Sequence, residues 1–290
     1  MAKKPVKYCV VDAFADSAFK GNPAAVCFLE EERDDQWLQA VATEFNVPVT
    51  CYLTPITNSY HNRFRLRWFT HLNEVKLCGH ATLAAAYALF WSGLVDTNIM
   101  IEFVTPNGLL TAKKIPPINI TSVSDLHEFL IEIDLPAHPV MESNFDETSQ
   151  ISEALPGASI INIKRTQIGN DILVEVKCGK NVTEIQPQFD AIAKWPGRGV
   201  IISGIAPPGS GFDFYSRFFC PKDGVDEDHV CGSAHCALAS YWSKKLGKCD
   251  FNAYQASPRG GVLNLHLDEQ NQRVLLRGKA VMVMEGCILV

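Results

Sequence analysis

The chain has 290 residues, of which 47% are hydrophobic and 20% are charged, and its formal net charge is −6. This composition is typical of a folded globular protein and excludes disordered, collagen-like and highly charged chains. Because the sequence has no basic run, it offers no electrostatic binding surface to nucleic acid or to an anionic membrane. We therefore expect a small-molecule partner.

The cysteines and the apolar runs indicate the compartment. Ten cysteines lie mostly within apolar segments and without regular spacing, which is typical of free thiols in a reducing compartment. The longest wholly apolar run, residues 83–91, has nine residues, whereas a membrane helix needs about 20. The first residues show no apolar segment followed by a small-residue cleavage site. These features predict a soluble cytoplasmic protein, for which a homodimer is an alternative to a monomer.

Short runs of alternating, β-branched and aromatic residues predict strands along the whole chain. In chain order they are residues 7–14, 24–29, 49–56, 64–70, 99–105, 129–135, 160–165, 172–177, 199–203, 212–219, 251–255, 262–267, 273–276 and 281–290. Helical periodicity is clearest at residues 34–45, 81–91, 189–195 and 234–246. Because short Gly, Pro and Asn turns join most strand runs, we expect mainly antiparallel neighbours in an α+β fold.

The length of the chain suggests two domains. Residues 115–126 contain two consecutive prolines and a Ser/Thr/Asn cluster, which is typical of a linker. We therefore expect a boundary near residue 120. It separates an N-terminal α+β half, residues 1–120, from a C-terminal α+β half, residues 121–290, whose last strand could cross back.

A sequence repeat relates the two halves. Residues 74–87 (EVKLCGHATLAAAY) and residues 227–240 (EDHVCGSAHCALAS) are identical at six of 14 aligned positions, where random pairing would give roughly one. In both copies an aromatic strand is followed by Cys-Gly and an Ala-rich helix. We interpret the repeat as an internal duplication; the alternative is two unrelated helices that begin with glycine.

The start of each repeated helix is expected to bind an anion. Free backbone N–H groups and the positive end of the helix dipole favour negative charge there, and Gly79 and Gly232 would let a carboxylate approach the backbone. If the halves are related by approximate two-fold symmetry, both helix starts face one interdomain cleft and hold one carboxylated substrate. The alternative is simple N-capping, for which Ser233 is well suited.

Side chains that can move protons lie at the same helix starts. His80 follows Gly79, and Asp228 and Ser233 flank Gly232. A carboxylate desolvated in a cleft and an imidazole can each act as acid or base near neutral pH. An aspartate before a helix is otherwise a cap or a solvated turn, but its occurrence in a repeat favours a catalytic site.

Two cysteines offer a second proton-transfer mechanism. Cys78 and Cys231 occupy equivalent positions beside the helix starts, where thiol pKa values fall. A pair of facing thiols would make a cofactor-free racemase or epimerase. The alternative, which we favour, is that both are small apolar residues at the ends of strands.

The sequence predicts neither a metal nor a cofactor. Four residues near one another could suggest a metal site, but one helical turn cannot direct all of them at one ion; they are His229, Cys231, His235 and Cys236. The glycines of residues 204–211 match no nucleotide-binding motif. The remaining histidines, including His138, are interpreted as ordinary surface or core residues.

The motifs of this chain resemble those of the phenazine-biosynthesis PhzF-like family. They occur in family order over nearly the whole chain, at residues 11–14 (VDAF), 19–26 (FKGNPAAV), 78–85 (CGHATLAA), 217–221 (RFFCP) and 224–235 (GVDEDHVCGSAH). The resemblance implies two similar α+β halves, each a curled antiparallel sheet around a central helix, as in diaminopimelate epimerase. It also implies cofactor-independent isomerisation of a small carboxylic acid; the namesake moves a proton in dihydro-hydroxyanthranilate.

The resemblance also implies roles for individual residues. Three of them match catalytic positions of the family: His80, Asp228 and Ser233. The remaining matches would bind substrate, through the backbone of Gly79 and Gly232 and through Asn22.

Two positions depart from the family pattern Glu-x-x-x-Ser-Glu-Thr: Pro48 stands for its serine, and Val49 for its second glutamate. Residues 44–50 read EFNVPVT, so Val49 stands where the family has its principal proton-transferring carboxylate. Valine cannot carry a proton, and the loss of a general base commonly lowers the rate by about 10² to 10⁴. The sequence therefore predicts an isomerase of impaired activity. The alternative is a non-catalytic small-acid binding or interaction protein with the same fold.

Overall fold

The computed structural model of the protein describes residues 5–56, 62–116, 129–143 and 148–289. Its contacts divide the chain into two compact units. Unit 1 contains Met1–Leu135 and Leu276–Val290, and unit 2 contains Pro136–Leu275. The boundary that the sequence predicts near residue 120 lies outside the described residues.

The contacts place two further segments in unit 1. Strand β8 (Leu130–Pro136) pairs with β7 (Gly108–Ile115), which explains why the first unit extends to Leu135. The last strand, β18 (Ala280–Ile288), pairs along β1 (Val6–Ala13). Unit 1 therefore extends to Leu135, beyond the predicted half 1–120, and also includes the C-terminal segment Leu276–Val290.

The sheet of unit 1 has the strand order β18-β1-β2-β3-β4-β6-β7-β8, with β5 beside β4. The remaining strands are β2 (Asn22–Phe28), β3 (Val49–Pro55), β4 (Arg63–Phe69), β5 (Glu74–Val75) and β6 (Ile101–Thr105). The pairs β2–β3 and β4–β6 are parallel. Each parallel pair is connected through a helix, α1 (Asp35–Phe45) or α2 (Gly79–Trp91).

Helix α2 is the centre of unit 1. Every residue from Gly79 to Phe90 is buried, as expected for a helix that is apolar on all sides. The helix contacts β1, β2, β3, β7 and β18. Because β18 and β7 lie towards opposite edges of the sheet, the sheet curls around α2. Helix α1 covers the outer face, where Leu38 and Val41 pack against Tyr52.

Unit 2 repeats this arrangement. Its strands follow the order β9-β10-β11-β12-β13-β15-β16, with β14 beside β13. Their bounds are β9 (Val140–Glu142), β10 (Ile160–Thr166), β11 (Ile172–Val176), β12 (Val200–Ile205), β13 (Phe214–Cys220), β14 (Val225–Asp228), β15 (Asp250–Gln255) and β16 (Gly261–Asp268). The pairs β11–β12 and β13–β15 are parallel. Strand β17 (Arg273–Gly278) then leads back to unit 1.

The central helix of unit 2 is α6 (Gly232–Leu246), which is largely buried. Its Trp242 indole donates to Ser203 on β12 over 3.0 Å, and its His235 ring contacts Ser216 on β13 over 3.2 Å. Three short helices complete the unit: α3 (Thr148–Ala154), α4 (Gly179–Glu184) and α5 (Phe189–Ile192). Their apolar residues pack on the other face of β11 to β13.

A repeated ion pair supports the internal duplication. Arg67 binds Glu74 through two hydrogen bonds of 2.7 Å, and Arg217 binds Glu227 through bonds of 2.7 and 2.8 Å. In both units the arginine lies over the phenylalanine two residues further along its strand, at 5.1 and 4.8 Å from the ring centre. The two glutamates are aligned in the sequence repeat. The units therefore share strand pairings, a central helix and an arginine–glutamate ion pair.

The α+β prediction is confirmed, and the expectation of antiparallel neighbours holds for most pairs. The four parallel pairs arise because α1, α2, α4 with α5, and α6 each carry the chain across the sheet between two strands. Among the described residues, no helix is long and apolar enough to cross a membrane.

Candidate functional site

The start of α2 holds His80 in a buried hydrogen-bond arrangement. The amide nitrogen Nδ2 of Asn22 lies 3.1 Å from His80 Nδ1, and the Sγ atom of Cys78 lies 3.4 Å from the same ring nitrogen. All three residues are buried. Because an amide nitrogen donates, this arrangement fits the ring tautomer that accepts at Nδ1 and carries its proton on Nε2. In this tautomer His80 can donate through Nε2.

Val49 lies on the face of the sheet that covers α2. Side chains alternate along a strand, so Val49 and Cys51 share a face of β3, and the Sγ atom of Cys51 lies 3.7 Å from the carbonyl oxygen of Ala81 in α2. Val49 pairs with Ala24 of β2, which shares a face with Asn22. Val49 is 6% exposed. Unit 1 thus has a buried apolar side chain at the position where the sequence resemblance implies a carboxylate.

In unit 2, a buried glutamine fixes the turn between β14 and α6. Gln255 accepts a hydrogen bond from the Cys231 backbone N–H over 2.8 Å and donates to the Asp228 carbonyl oxygen over 2.5 Å. These bonds hold the last residue of β14 against the start of α6, where Gly232 and Ser233 follow. One side chain thereby links the backbone at the end of β14 to the backbone at the start of α6.

Ser233 is held by an arginine that the sequence did not single out. The guanidinium of Arg198 donates to both carboxylate oxygens of Asp171, over 3.1 and 2.7 Å. Its Nη2 atom also donates to Ser233 Oγ over 3.1 Å. The Sγ atom of Cys231 lies 3.3 Å from the same hydroxyl oxygen. The start of α6 is therefore occupied by a hydroxyl bound to a cation.

Two glycines place Arg198 at this point. Gly197 has φ +84°, and a Cβ there would lie 1.9 Å from the carbonyl oxygen of Asn170. At Gly199 a Cβ would lie 2.5 Å from the carbonyl oxygen of Phe219. The Gly199 N–H donates to Asp171 over 3.1 Å. Only glycine fits the turn on either side of the arginine.

The thiol of Cys231 is protonated at neutral pH. Burial, and secondly the negative charge of Asp228, raise its pKa to about 12. The expectation that the helix start lowers this pKa is wrong, because the loss of hydration outweighs the helix dipole and the nearby Arg198. This finding argues against the two-thiol racemase and favours the interpretation of Cys231 as a packed apolar residue.

The site residues predicted from the sequence fall into two groups. In unit 1 the structure brings together Asn22, Cys78, Gly79 and His80, with Val49 on the adjoining sheet face. In unit 2 it brings together Asp228, Cys231, Gly232 and Ser233.

Sequence reasoning missed Arg198, Asp171 and Gln255. A signal for the first two exists: Asp171 lies directly before the apolar strand β11, and Arg198 lies two residues before the apolar strand β12. The two strands are parallel neighbours, so the charges meet at the same end of the sheet. That pairing cannot be read from the composition of either strand.

The chain has the fold of solved epimerase structures. A hydroxyproline epimerase from Agrobacterium vitis, solved with bound trans-4-hydroxy-L-proline, superposes with a TM-score of 0.64 at 12% identity, over 99% of this chain and 93% of that chain. At this identity the likeness shows the fold alone.

The chain belongs to the phenazine biosynthesis-like family, whose profile matches residues 11–286. It is 40% identical over 280 residues to an uncharacterized isomerase of Halalkalibacterium halodurans, covering 97% of each chain. A PhzF-family crystal structure from Enterococcus faecalis superposes with a TM-score of 0.84 at 34% identity, over 98% of this chain and 99% of that chain. These matches confirm the resemblance that the sequence motifs indicate.

Proposed function

We propose that the protein is a cofactor-independent isomerase that moves a proton on a small carboxylic acid. The observation that carries this proposal is that each unit holds a proton-bearing side chain, His80 or Ser233, at the start of an equivalent central helix. Asn22 lies within hydrogen-bond distance of His80, and Arg198 donates to Ser233. The helix starts supply N–H groups and a positive dipole end that favour a carboxylate.

The proposed reaction needs one base and one acid. Asp228 would take a proton from a carbon of the substrate, and His80 would return one from Nε2 to another carbon or to the opposite face. The atoms balance, because solvent restores the proton on His80 and removes the one on Asp228. Gly79, Gly232, Asn22 and Ser233 would bind the acid. That both helix starts bind the same molecule stays a prediction from the repeat.

Solvent deuterium incorporation tests the proposal. The protein is incubated in D₂O with two probe acids, dihydro-hydroxyanthranilate and the neighbour's ligand trans-4-hydroxy-L-proline, and label is followed by NMR. We expect label at a carbon of at least one acid and a loss of about 10² or more in rate for Asp228→Asn.

Asp226→Asn is the matched control, since this exposed aspartate lies on the same strand. Equal rates for the two variants would contradict the role of Asp228.

A non-catalytic binding protein is the second candidate, and Val49 is the observation that favours it. Such a protein would bind the probe acids without labelling them. A rise in melting temperature with either acid, at no detectable exchange, would support it. Exchange that Asp228→Asn abolishes would exclude it.

The two-thiol racemase is tested separately. Cys78→Ala and Cys231→Ala should each abolish exchange if both thiols carry protons. Since the Cys231 thiol is protonated and buried, we expect Cys231→Ala to retain exchange.

A further inference from the structure

We infer that Arg198, held by Asp171, is a positioning residue that fixes the Ser233 hydroxyl as a hydrogen-bond donor to the substrate. The inference rests on the proposed isomerase, because it assigns the work of one of its binding groups. It concerns two residues that neither the sequence repeat nor the family motifs above include.

The direction of the hydrogen bond defines the role of the hydroxyl. A guanidinium has only donors, so Ser233 Oγ accepts from Arg198 Nη2. The hydroxyl hydrogen must then point to another acceptor. Among the described residues, its only other hydrogen-bond contact is Cys231 Sγ at 3.3 Å, and sulfur is a weak acceptor. A substrate oxygen would be the better acceptor.

The guanidinium is held firmly enough to act as a template. Two N–H groups of the planar guanidinium donate to the two oxygens of the Asp171 carboxylate. Asp171 also accepts a hydrogen bond from the Gly199 N–H. The ring of Phe218 lies 4.9 Å from the guanidinium carbon. Asp171 has 2% of its side chain exposed. The arrangement leaves Nη2 aimed at Ser233.

A comparison of the two units supports a functional role for Arg198. Phe69 and Phe219 occupy equivalent positions, because each lies two residues after the arginine of the repeated ion pair. Phe69 pairs with Thr50 of β3, and Phe219 pairs with Val200 of β12. By this register Gly199 corresponds to Val49. The position where the family resemblance implies a carboxylate in unit 1 therefore corresponds to the residue that follows Arg198 in unit 2.

The charge of Arg198 also strengthens the donor. A nearby cation stabilises negative charge on Oγ and so favours donation of the hydroxyl hydrogen. Six other titratable groups around Arg198 interact electrostatically with it or with one another: Asp171, His138, Cys220, Asp223, Asp228 and Cys231. Burial and Arg198 lower the pKa of His138 to about 4, so this ring adds no second positive charge at neutral pH.

If the Ser233 hydroxyl is replaced by a thiol, the thiol pKa measures the electrostatic effect of Arg198 without any substrate. In Ser233→Cys, the pKa of the new thiol is measured from ultraviolet thiolate absorbance, with the wild-type titration subtracted. Adding Arg198→Gln should raise this pKa by about one unit or more. Adding Arg198→Lys keeps the positive charge but removes the planar guanidinium that binds both oxygens of Asp171, so it should raise the thiol pKa less. Lys194→Gln is the charge-matched control, because Lys194 is exposed on the same segment.

The single variant Arg198→Lys provides the second readout. Its exchange kcat with the probe acid should fall about tenfold or more, while the acid still raises the melting temperature. An unchanged thiol pKa in Arg198→Gln, or an unchanged kcat in Arg198→Lys, would overturn the inference. A third outcome is that the wild type incorporates no deuterium while the thiol pKa of Ser233→Cys still rises when Arg198 is replaced. In that case the proposed isomerase function is wrong, but the inference that Arg198 positions Ser233 is retained.

Discussion

At the residue scale, the two helix starts hold their polar side chains by different chemistry. His80 receives a hydrogen bond from an amide, whereas Ser233 receives one from a cation. The first arrangement leaves a ring N–H to donate, and the second leaves a hydroxyl hydrogen. Both would stabilise negative charge on a bound acid, which is consistent with an isomerase that passes through a carbanion-like state.

Two buried histidines predict a pH dependence of stability. Burial lowers the pKa values of His138 and His235 to about 4, whereas an unfolded histidine titrates near 6.5. Between these values the unfolded chain binds more protons than the folded one, so the free energy of unfolding falls as the pH decreases from about 6.5 to about 4. The loss is up to about 3 kcal/mol for each histidine, measured by urea unfolding across this range.

The double variant His138→Gln/His235→Gln isolates this effect. His235 donates from Nδ1 to the Cys231 carbonyl oxygen over 2.8 Å, so its loss lowers stability at every pH. The slope of stability against pH between about 4 and 6.5 should nevertheless become flatter. A slope as steep as that of the wild type would show that carboxylates cause the acid sensitivity.

The sequence predicted some residues of the candidate site and missed others for a definite reason. His80, Asp228 and Ser233 stand beside the repeated Cys-Gly, so local pattern finds them. Arg198 and Asp171 lie 27 residues apart in the chain and meet only because β11 and β12 are parallel neighbours. Non-local pairing of this kind leaves no short motif.

At the element scale, the repeated ion pair allows the two units to serve as controls for each other. Arg217 and Glu227 each have 11% of the side chain exposed, against 21% for Arg67 and 32% for Glu74. Arg67 also binds Asp35 over 2.9 Å. The pair in unit 2 is therefore better shielded from water, and its arginine depends more on one carboxylate.

Removing each carboxylate should reveal this difference. We expect Glu227→Gln to lower the free energy of unfolding by about 2 to 3 kcal/mol, because it leaves a buried guanidinium poorly paired. Glu74→Gln should cost about 1 kcal/mol or less, as is typical of partly exposed pairs. Denaturant unfolding of both variants checks the order, and equal losses would contradict the argument from burial.

The elements themselves were largely predictable. The predicted helix at residues 34–45 matches α1, which begins after Asp34 as its N-cap, and the helix at residues 81–91 begins two residues earlier than predicted, at Gly79. Helices α3 and α4 were not predicted, because a segment of six or seven residues shows too few turns for a helical period. The parallel pairs were missed because strand direction depends on where each crossover helix packs.

At the scale of the whole molecule, duplication allows the two units to diverge while keeping one fold. Unit 2 has a cation before β12, and unit 1 has Pro48 and Val49 at the start of β3. Both strand starts adjoin the central helix of their own unit. The loss of the acid that the family resemblance implies at position 49 would therefore change the chemistry of unit 1 and leave its architecture intact.

Restoring that acid is the most direct measurement of the central claim, which is proton transfer at these helix starts. Val49→Glu should raise the rate of deuterium incorporation into the probe acid by about 10² to 10⁴ over the wild type. Val49→Gln is the matched control, because it has the same size and polarity without a titrating proton, and it should give no comparable rise. If Val49→Glu folds and binds the acid but incorporates no more deuterium than Val49→Gln, the claim is contradicted.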